Sequence, residues 1–284
     1  MAHGKDENSG KPVISVENLA KSFDEKCVLA DVNFQVLAGE TLVVMGGSGC
    51  GKSTLLRHMI GSLWPDRGHI NMLGSNLNDC TDRELDAIRK RFGILFQSGA
   101  LFNSMTVGEN VALPLREHTD LDESTIEIMI RIKLELVGLR EAVDLMPAEL
   151  SGGMKKRAGL ARAIALDPEV LFYDEPSAGL DPVTSAGIDQ LIMDLAGKLG
   201  VTSVVVTHEM DSAFRIADRM VMLDKGRVLK IGSKQEFADI RDSAATGDET
   251  HDIIRQFLRG DSEGPITQRR QNSGYEEDIM EASQ

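Results

Sequence analysis

A glycine-rich run at residues 46–53 has the residue types and spacing that hold a phosphate group. It fits the pattern G-x-x-x-x-G-K-[ST], follows an apolar run at Thr41–Met45 and precedes a helix-patterned run at Ser53–Ile60. Glycines let the backbone aim its N–H groups at phosphate oxygens, and the following helix adds its positive end. The predicted nucleotide-binding residues are Gly46, Gly47, Ser48, Gly49, Cys50, Gly51, Lys52, Ser53 and Thr54. A glycine-rich turn without a ligand is the alternative.

Two members of this run have distinct predicted tasks. The Lys52 ammonium should reach the β and γ phosphates, which makes Lys52 a predicted catalytic residue as well. The Ser53 hydroxyl should ligate Mg²⁺. ATP and Mg²⁺ are therefore the expected cofactors.

A pair of acids follows a second apolar run. Val170–Tyr173 has the composition of a buried strand and delivers Asp174 and Glu175 at its carboxyl end, where ligands bind in parallel sheets. Asp174 is suited to hold Mg²⁺, and Glu175 is suited to meet an attacking water as a general base. A solvated acidic turn is the alternative, and the phosphate-binding run elsewhere in the chain makes it the weaker one.

The elements that must position these residues change character along the chain. Residues 13–73 contain short β-rich runs separated by turn residues, and Phe92–Phe96 is a further strand. Residues 98–166 have helical spacing, which predicts a helical lobe. Beyond it, apolar runs at 170–173 and 203–206 alternate with helix-patterned segments, as a doubly wound α/β sheet requires.

Bulk properties exclude several classes of protein. The 284 residues carry a formal net charge of -14, so the long-range field repels nucleic acid, and no nucleic-acid partner is expected. No apolar run approaches the roughly 20 residues of a membrane span, and the polar residues 1–12 lack the apolar core of a signal peptide.

Residues 233–284 are expected to form a helical and then acidic extension whose end is flexible or ordered by a partner.

Further motifs resemble those of ABC ATPases. Leu150–Met154 reads LSGGM and resembles the LSGGQ signature of that family. The other family motifs occur in the expected order along the chain, namely a glutamine after a strand, the run Ser177–Asp181 and a histidine after a strand. The resemblance covers about residues 13–232. It implies a P-loop NTPase (RecA-like) core with an N-terminal antiparallel β-subdomain and an inserted α-helical subdomain at about 98–166.

The resemblance also implies roles for individual residues. By this resemblance, Phe23 would lie against adenine, Gln97 would be a metal-sensing and catalytic residue, and His208 would be the catalytic switch histidine. Ser151, Gly152 and Gly153 would bind the γ-phosphate of the ATP held by the other protomer, and Asp181 would lie at the dimer seam. Such a site is completed only in a homodimer. Met154 departs from the usual Gln, which puts a polar contact at that position in doubt.

Some of these residues have plainer interpretations. Phe23 could be a core residue. Lys155, Lys156 and Arg157 lie at a helix start, where the helix dipole disfavours cations; they are either phosphate-side or interface charges or a solvated cluster.

The stretch at 150–182, with residues 96–115, looks like the MlaF-type ATPases of bacterial phospholipid-trafficking transporters. That resemblance implies an MlaE-type permease, an MlaB-type STAS protein and an MlaD-type MCE protein as partners. It also implies a place on the cytoplasmic face of the inner membrane and no direct lipid contact. Residues 98–115 are then a docking segment for the permease, or else ordinary core of the lobe.

Two rival functions remain open at this level. A non-transport ABC ATPase usually has coiled-coil arms, tandem cassettes or basic surfaces, none of which this sequence contains. A cassette for amino acids or another small solute has the same motifs, and only its partners would distinguish it.

Overall fold

The computed structural model describes residues 10–269, which form two β-sheets, nine complete α-helices and a further helical segment at residues 265–269. The strands are β1 Pro12–Phe23, β2 Lys26–Leu37, β3 Thr41–Gly46, β4 Arg67–Met72, β5 Ser75–Asn76, β6 Phe92–Leu95, β7 Val170–Asp174, β8 Thr202–Val206, β9 Arg219–Asp224 and β10 Arg227–Ser233. The helices are α1 Lys52–Met59, α2 Asp82–Arg89, α3 Val107–His118, α4 Glu123–Leu136, α5 Gly152–Ala163, α6 Pro182–Leu199, α7 Met210–Ile216, α8 Lys234–Asp242 and α9 Glu249–Arg259.

The larger sheet has the strand order β10-β9-β3-β8-β7-β6, in which all pairs are parallel except the antiparallel edge pair β9-β10. Its central strands β3, β8 and β7 are buried on both faces. Along β7, Leu171 and Tyr173 belong to one hydrophobic cluster, whereas Val170 and Phe172 belong to the other. The uninterrupted apolar run predicted this two-sided burial, because neither face can be left polar.

The smaller sheet is built from the first third of the chain in the order β2-β1-β4-β5, with antiparallel pairs throughout. Its strands are longer than the β-rich runs predicted, since the alternation of buried positions continues through Leu19 in β1 and Leu29 in β2, both fully buried. The inner face packs on α1 through Leu55 and on the larger sheet through Leu42. This sheet therefore supports the segment that follows β3.

Helices α3, α4 and α5 lie in the chain between β6 and β7. The first begins with a capping box, in which Thr106 accepts from the backbone N–H of Glu109 and the Glu109 carboxylate accepts from that of Thr106. The three helices pack through fully or nearly buried side chains that include Val107, Ile126 and Leu160. The result is a mixed α/β fold with an N-terminal antiparallel β-subdomain and an inserted helical subdomain.

The C-terminal helices pack onto the larger sheet. Phe237 of α8 and Ile254 of α9 are buried, and the Gln256 amide oxygen accepts from the backbone N–H of Ile266 at 2.8 Å. The Arg269 guanidinium lies 3.1 Å from the Asp224 carboxylate. The expectation of a flexible end is thus wrong for residues 260–269, because the Gln256 amide and the ion pairs of Arg269 with Asp224 and Glu249 hold them within the chain. Residues 1–9 and 270–284 lie outside the described part of the chain.

Membrane-spanning potential can be judged from the helices of residues 10–269. None of them combines the length and the apolar character that a bilayer crossing requires.

Gly93 gives a test of the packing between β6 and α5. A Cβ at this position would lie 2.1 Å from the Ala163 carbonyl oxygen, so Gly93→Ala must push the helix away from the sheet. We expect the free energy of unfolding to fall by about 1–3 kcal/mol, as for overpacking of a core. Denaturant titration followed by circular dichroism measures it.

Gly197 is the matched control, since it lies in α6 with open space around its Cβ position. Gly197→Ala should raise the free energy of unfolding by about 0.5–1 kcal/mol. Equal effects of the two substitutions would contradict the close approach at Gly93.

Candidate functional site

The glycine-rich loop joins the end of β3 to the start of α1, and two of its glycines lie where any other residue would be strained. Gly46 has φ 150°, and a Cβ there would lie 2.2 Å from the Leu223 carbonyl oxygen. Gly51 has φ 109° and would meet Leu29 Cδ2 at 2.7 Å. Both positions therefore combine a left-handed backbone with a close approach, and the loop conformation depends on them.

Lys52 is the first residue of α1 and its side chain folds back over the loop. The ammonium donates to the carbonyl oxygens of Gly46 at 2.7 Å and Gly47 at 3.0 Å, and it is 4.0 Å from Cys50 Sγ. Burial raises the pKa of the Cys50 thiol, and the nearby Lys52 charge opposes that shift. Ser53 is exposed on the same first turn, which contains no acidic side chain. The positive end of α1 is thus available to an anion.

Strand adjacency brings the predicted site residues to one edge of the sheet. Strand β8 lies between β3 and β7, with Val206 paired to both Val44 and Asp174. The glycine-rich loop, the two acids and His208 all follow within two residues of those paired positions. The predicted residues of three strand ends therefore lie side by side.

Glu175 and His208 are joined by a direct hydrogen bond. The His208 Nδ1 donates to Glu175 Oε1 at 2.8 Å, because an ionised carboxylate can only accept. Strand β7 ends at Asp174, and Glu175 adopts φ 48° with its N–H donating to the Val206 oxygen at 2.9 Å. A left-handed turn rather than strand alternation therefore sets the direction of the Glu175 side chain.

Carboxylates crowd this edge of the sheet. Burial is the main cause that raises the pKa of Asp174, and the neighbouring Glu175 raises it further, whereas Lys156, Arg57 and Lys52 oppose the shift. Burial likewise raises the pKa of Glu209. Cations in the surroundings are needed to keep such a group of acids charged.

Gln97 lies two residues beyond β6, which is paired with β7, and its side chain is exposed. The loop after it is held by Arg162 of α5, whose guanidinium donates to the carbonyl oxygens of Ala100 at 2.8 Å and Gly99 at 3.2 Å. Gly159 permits this contact, since a Cβ there would lie 2.8 Å from the Gly99 oxygen. The helical subdomain is thus tied to the Gln97 loop by backbone contacts.

The signature-like residues form the start of α5. Ser151 is the N-cap residue and accepts from the backbone N–H of Met154 at 3.3 Å; Gly152 is exposed, whereas Gly153 is buried against Thr184. The Met154 side chain packs on the hydrophobic cluster of the helical subdomain. This packing explains how an apolar residue is accommodated where a glutamine was expected.

Phe23 and Asp181 lie at the surface. Phe23 is 44% exposed at the β1–β2 hairpin, so the interpretation as a core residue is wrong; the Lys21 ammonium lies 5.6 Å from the ring centroid. Asp181 is the N-cap of α6 and accepts from the backbone N–H groups of Val183 and Thr184, both at 3.0 Å. This capping role was not predicted.

Two buried charged residues were also missed. Asp189 of α6 is fully buried and accepts from Ser212 and Arg215, and from Ser177 at 3.3 Å. Ser177 is therefore buried and hydrogen-bonded within its own chain. Lys156 is only 4% exposed, so the interpretation of residues 155–157 as a solvated cluster is wrong for this residue. Helical spacing from the buried Gly153 and Leu160 could have indicated it.

The oxygen donors at the sheet edge fit a hard cation. Ser53, Gln97 and Asp174 provide a hydroxyl, an amide and a carboxylate, which are ligand types that Mg²⁺ accepts. Within residues 10–269 no cluster of three or more His, Cys, Asp or Glu side chains could hold a metal ion alone. A cation here would thus need other oxygens, as Mg²⁺ takes from phosphates and water.

The parallel sheet, the glycine-rich loop after its strand and the acids at the same edge define a P-loop NTPase. The family model described as ABC transporter matches residues 29–178. The chain is 45% identical over 253 residues to the probable ribonucleotide transport ATP-binding protein mkl of Mycobacterium leprae, covering 89% of this chain and 70% of that protein. It therefore belongs to the ABC transporter family and is an ATPase.

Two further likenesses extend along most of the chain. It is 40% identical over 269 residues to the intermembrane phospholipid transport system ATP-binding protein MlaF of Haemophilus influenzae, covering 95% of this chain and 98% of that protein. The ATP-binding cassette MJ0796, solved as a dimer in a post-hydrolysis state with ADP and Pi, has a TM-score of 0.71 at 31% identity, covering 78% of this chain and 98% of the cassette.

The Asp189 network predicts a stability effect. Asp189→Ala should lower the free energy of unfolding by about 1–3 kcal/mol, because the buried Ser177 and Ser212 hydroxyls would keep only their 3.4 Å contact with each other and Arg215 would lose its carboxylate partner. Gln190→Ala is the control, since Gln190 is exposed and its amide bonds only the Asp194 side chain. Thermal unfolding compares them; matching transition temperatures would contradict a stabilising role of Asp189.

Proposed function

We propose that this chain is the ATPase subunit that powers phospholipid movement between two membranes, acting as a homodimer that closes on two ATP molecules. The observation that carries the phospholipid part is the match to MlaF, which extends over almost the whole length of both proteins. Hydrolysis is supported by the Glu175–His208 hydrogen bond at the sheet edge.

The nucleotide site would be formed by the glycine-rich loop and the start of α1. Residues 46–54 would hold the phosphates, with the Lys52 ammonium leaving the loop carbonyls for the β and γ phosphates. Mg²⁺ would be held by Ser53, Asp174 and Gln97 and would neutralise phosphate charge. Phe23, exposed at the β1–β2 hairpin, is available to stack on adenine.

Glu175 is the proposed general base. Its side chain is 13% exposed, and the His208 contact fixes the orientation of its carboxylate. With its proton on Nδ1, the neutral imidazole presents Nε2 as an acceptor for a water. The pair can thus orient an attacking water at the γ-phosphate, with the Glu175 carboxylate as the acceptor of its proton.

The second half of each site would come from the partner protomer. Ser151 and Gly152 are exposed at the start of α5, whose first turn contains no acidic residue, so this helix end can receive a phosphate anion. Gly153 allows the close packing of α5 on Thr184, and Asp181 caps the adjoining α6 at the same surface. The solved dimers of the related cassette support this arrangement.

A groove between the larger sheet and the helical subdomain is the proposed docking site for a membrane subunit. It has a volume of about 670 Å³ and its lining includes Phe92, Phe96, Pro114 and Arg162. Phe102 is 50% exposed beside Arg162, which favours docking over core packing at that position. We propose MlaE-, MlaB- and MlaD-type proteins as partners and a peripheral position at the cytoplasmic face, with no lipid in contact with this chain.

We propose three functional regions: residues 1–12 as a tail, 13–232 as the ATPase domain with its helical part at about 98–166, and 233–284 as a C-terminal extension that binds a partner or the second protomer.

Ribonucleotide transport is the second candidate function, because the mkl proteins named for it are 45% identical. Those matches cover only 68–70% of the mkl proteins, whereas the MlaF matches cover 98–100%. The full-length agreement favours phospholipid.

Glu175→Gln tests the catalytic assignment. We expect ATP binding to persist and turnover to fall by about 10²–10⁴-fold, because the amide cannot accept the proton of the attacking water. The arrested protein should form a closed dimer with ATP, detectable by size-exclusion chromatography. Lys52→Ala is the comparison and should instead weaken ATP affinity by about 10–100-fold, the loss of a charged hydrogen bond. Parental turnover of the Glu175 variant would remove that residue from its role.

The transport function is tested with the chain purified together with its native membrane partners. Proteoliposomes should show ATP-dependent movement of labelled phospholipid to acceptor vesicles, abolished by Glu175→Gln. A ribonucleotide added as substrate should not stimulate ATP hydrolysis. Stimulation by ribonucleotide without lipid movement would favour the second candidate instead.

A further inference from the structure

Lys156 is a buried cation that the ATPase mechanism outlined above does not use. It lies on α5 and is 4% exposed, and its ammonium donates to the backbone carbonyl oxygen of Glu175 at 2.9 Å. Lysine is rarely buried without a partner, because desolvation of the ammonium is costly. The contact with Glu175 and the acids around it must therefore offset that cost.

The surroundings of the Lys156 ammonium are acidic. Its pKa is lowered by burial, and Asp174, Glu175 and Glu209 act against that shift. Charged or titratable groups that face these acids from other elements are Lys52, Arg57, Asp189 and His208. Lys156 is the cation that approaches this group from the helical subdomain.

The hydrogen bond is made to a strained residue. Glu175 has φ 48°, a conformation that is unfavourable for a non-glycine residue and persists only where its surroundings hold it. Its N–H donates to the Val206 oxygen and its carboxylate accepts from His208, whereas its carbonyl accepts from the Lys156 ammonium and, at 3.2 Å, from the Ala178 N–H of the same turn. Of these, only the Lys156 contact comes from an element outside the larger sheet and its carboxyl edge.

The two ends of this contact belong to different nucleotide sites of the proposed dimer. Ser151, at the start of α5, would grip the ATP held by the partner, whereas Glu175 would serve the ATP held by its own chain. Lys156 lies five residues from Ser151, about 7.5 Å along the helix at 1.5 Å per residue. A shift of α5 towards the partner's ATP would therefore move the Lys156 ammonium relative to Glu175.

We propose that Lys156 is a positioning residue that couples the two ATP sites. Its hydrogen bond to the Glu175 carbonyl makes the position of Glu175 at one site depend on the position of α5 at the other site. This role rests on the proposed closed dimer. Lys156 contacts neither nucleotide nor the attacking water; it acts through Glu175.

The first experiment measures steady-state ATP hydrolysis by the full-length chain. For Lys156→Met, kcat should fall about tenfold or more, the effect of losing one hydrogen bond of a charged group. The KM for ATP should stay within about threefold, since no ground-state contact is lost. The Hill coefficient should move towards one. Lys156→Arg should recover most of kcat, because it keeps the cation and the donor.

Lys198→Met is the matched control, since Lys198 lies on the surface of α6 and pairs only with the exposed Asp194 side chain. It should keep the parental kcat. Should Lys156→Met fail to fold, Lys156→Gln takes its place; its shorter, uncharged side chain should also lower kcat. Parental kcat in the Met or Gln variant, or an Arg variant no better than Met, would overturn the proposal.

Mixed dimers provide the sharper test, in single-turnover hydrolysis with one site silenced by Glu175→Gln. Lys156→Met should slow hydrolysis at the active site when the substitution is in the chain that keeps Glu175. It should have no such effect when it is in the chain that carries Glu175→Gln. Equal slowing would indicate a general structural defect, and slowing only in the second arrangement would indicate a weakened grip of α5 on ATP. Either result sinks the coupling role.

The two proposals fail separately. If Glu175→Gln with ATP forms no closed dimer, the shared-site function is wrong whatever the Lys156 variants do. If that dimer forms and Lys156→Met behaves as the parent, only the coupling role is wrong.

Discussion

The site depends on one constraint, namely that parallel strands present their carboxyl ends at the same edge of a sheet. Because β8 lies between β3 and β7, the glycine-rich loop, the acids and His208 are neighbours, although the loop is more than 100 residues from the acids and Glu175 is 33 residues from His208. The hydrogen bond between Glu175 and His208 crosses from one strand end to the next. Other parts of the fold either bury this sheet or hold the residues at its edge.

Holding those residues requires unfavourable features that the surroundings offset. Glu175 is in a left-handed conformation, and Asp174 and Lys156 are charged groups largely withdrawn from water. Each would be destabilising alone. Together they form one group of opposite charges and hydrogen bonds, so a substitution of any member changes the interactions of the others. Asp189 stabilises the adjoining segment in the same way, through Ser177 and Arg215.

The sequence predicted the parts of this arrangement that depend on local pattern. Uninterrupted apolar runs predicted β7 and β8, and the spacing of glycines with Lys52 predicted the loop, because those signals lie within a few residues. The partners of Lys156 and Asp189 could not be predicted in this way. Helical periodicity indicates which face of a helix is buried, but not which distant residue meets it. The exposure of Phe23 and the anchoring of residues 260–269 depend on tertiary contacts for the same reason.

An acidic chain that binds a polyanion requires short-range forces to prevail over long-range ones. The net charge of -14 acts through solvent, where salt screens it beyond about 10 Å. In the proposed site, Lys52, the N–H groups at the start of α1 and the start of the partner's α5 would act at contact distance, where screening is weak. Selection of a nucleotide therefore follows from local geometry. The same reasoning makes the placement of single buried cations such as Lys156 more consequential than the overall charge of the chain.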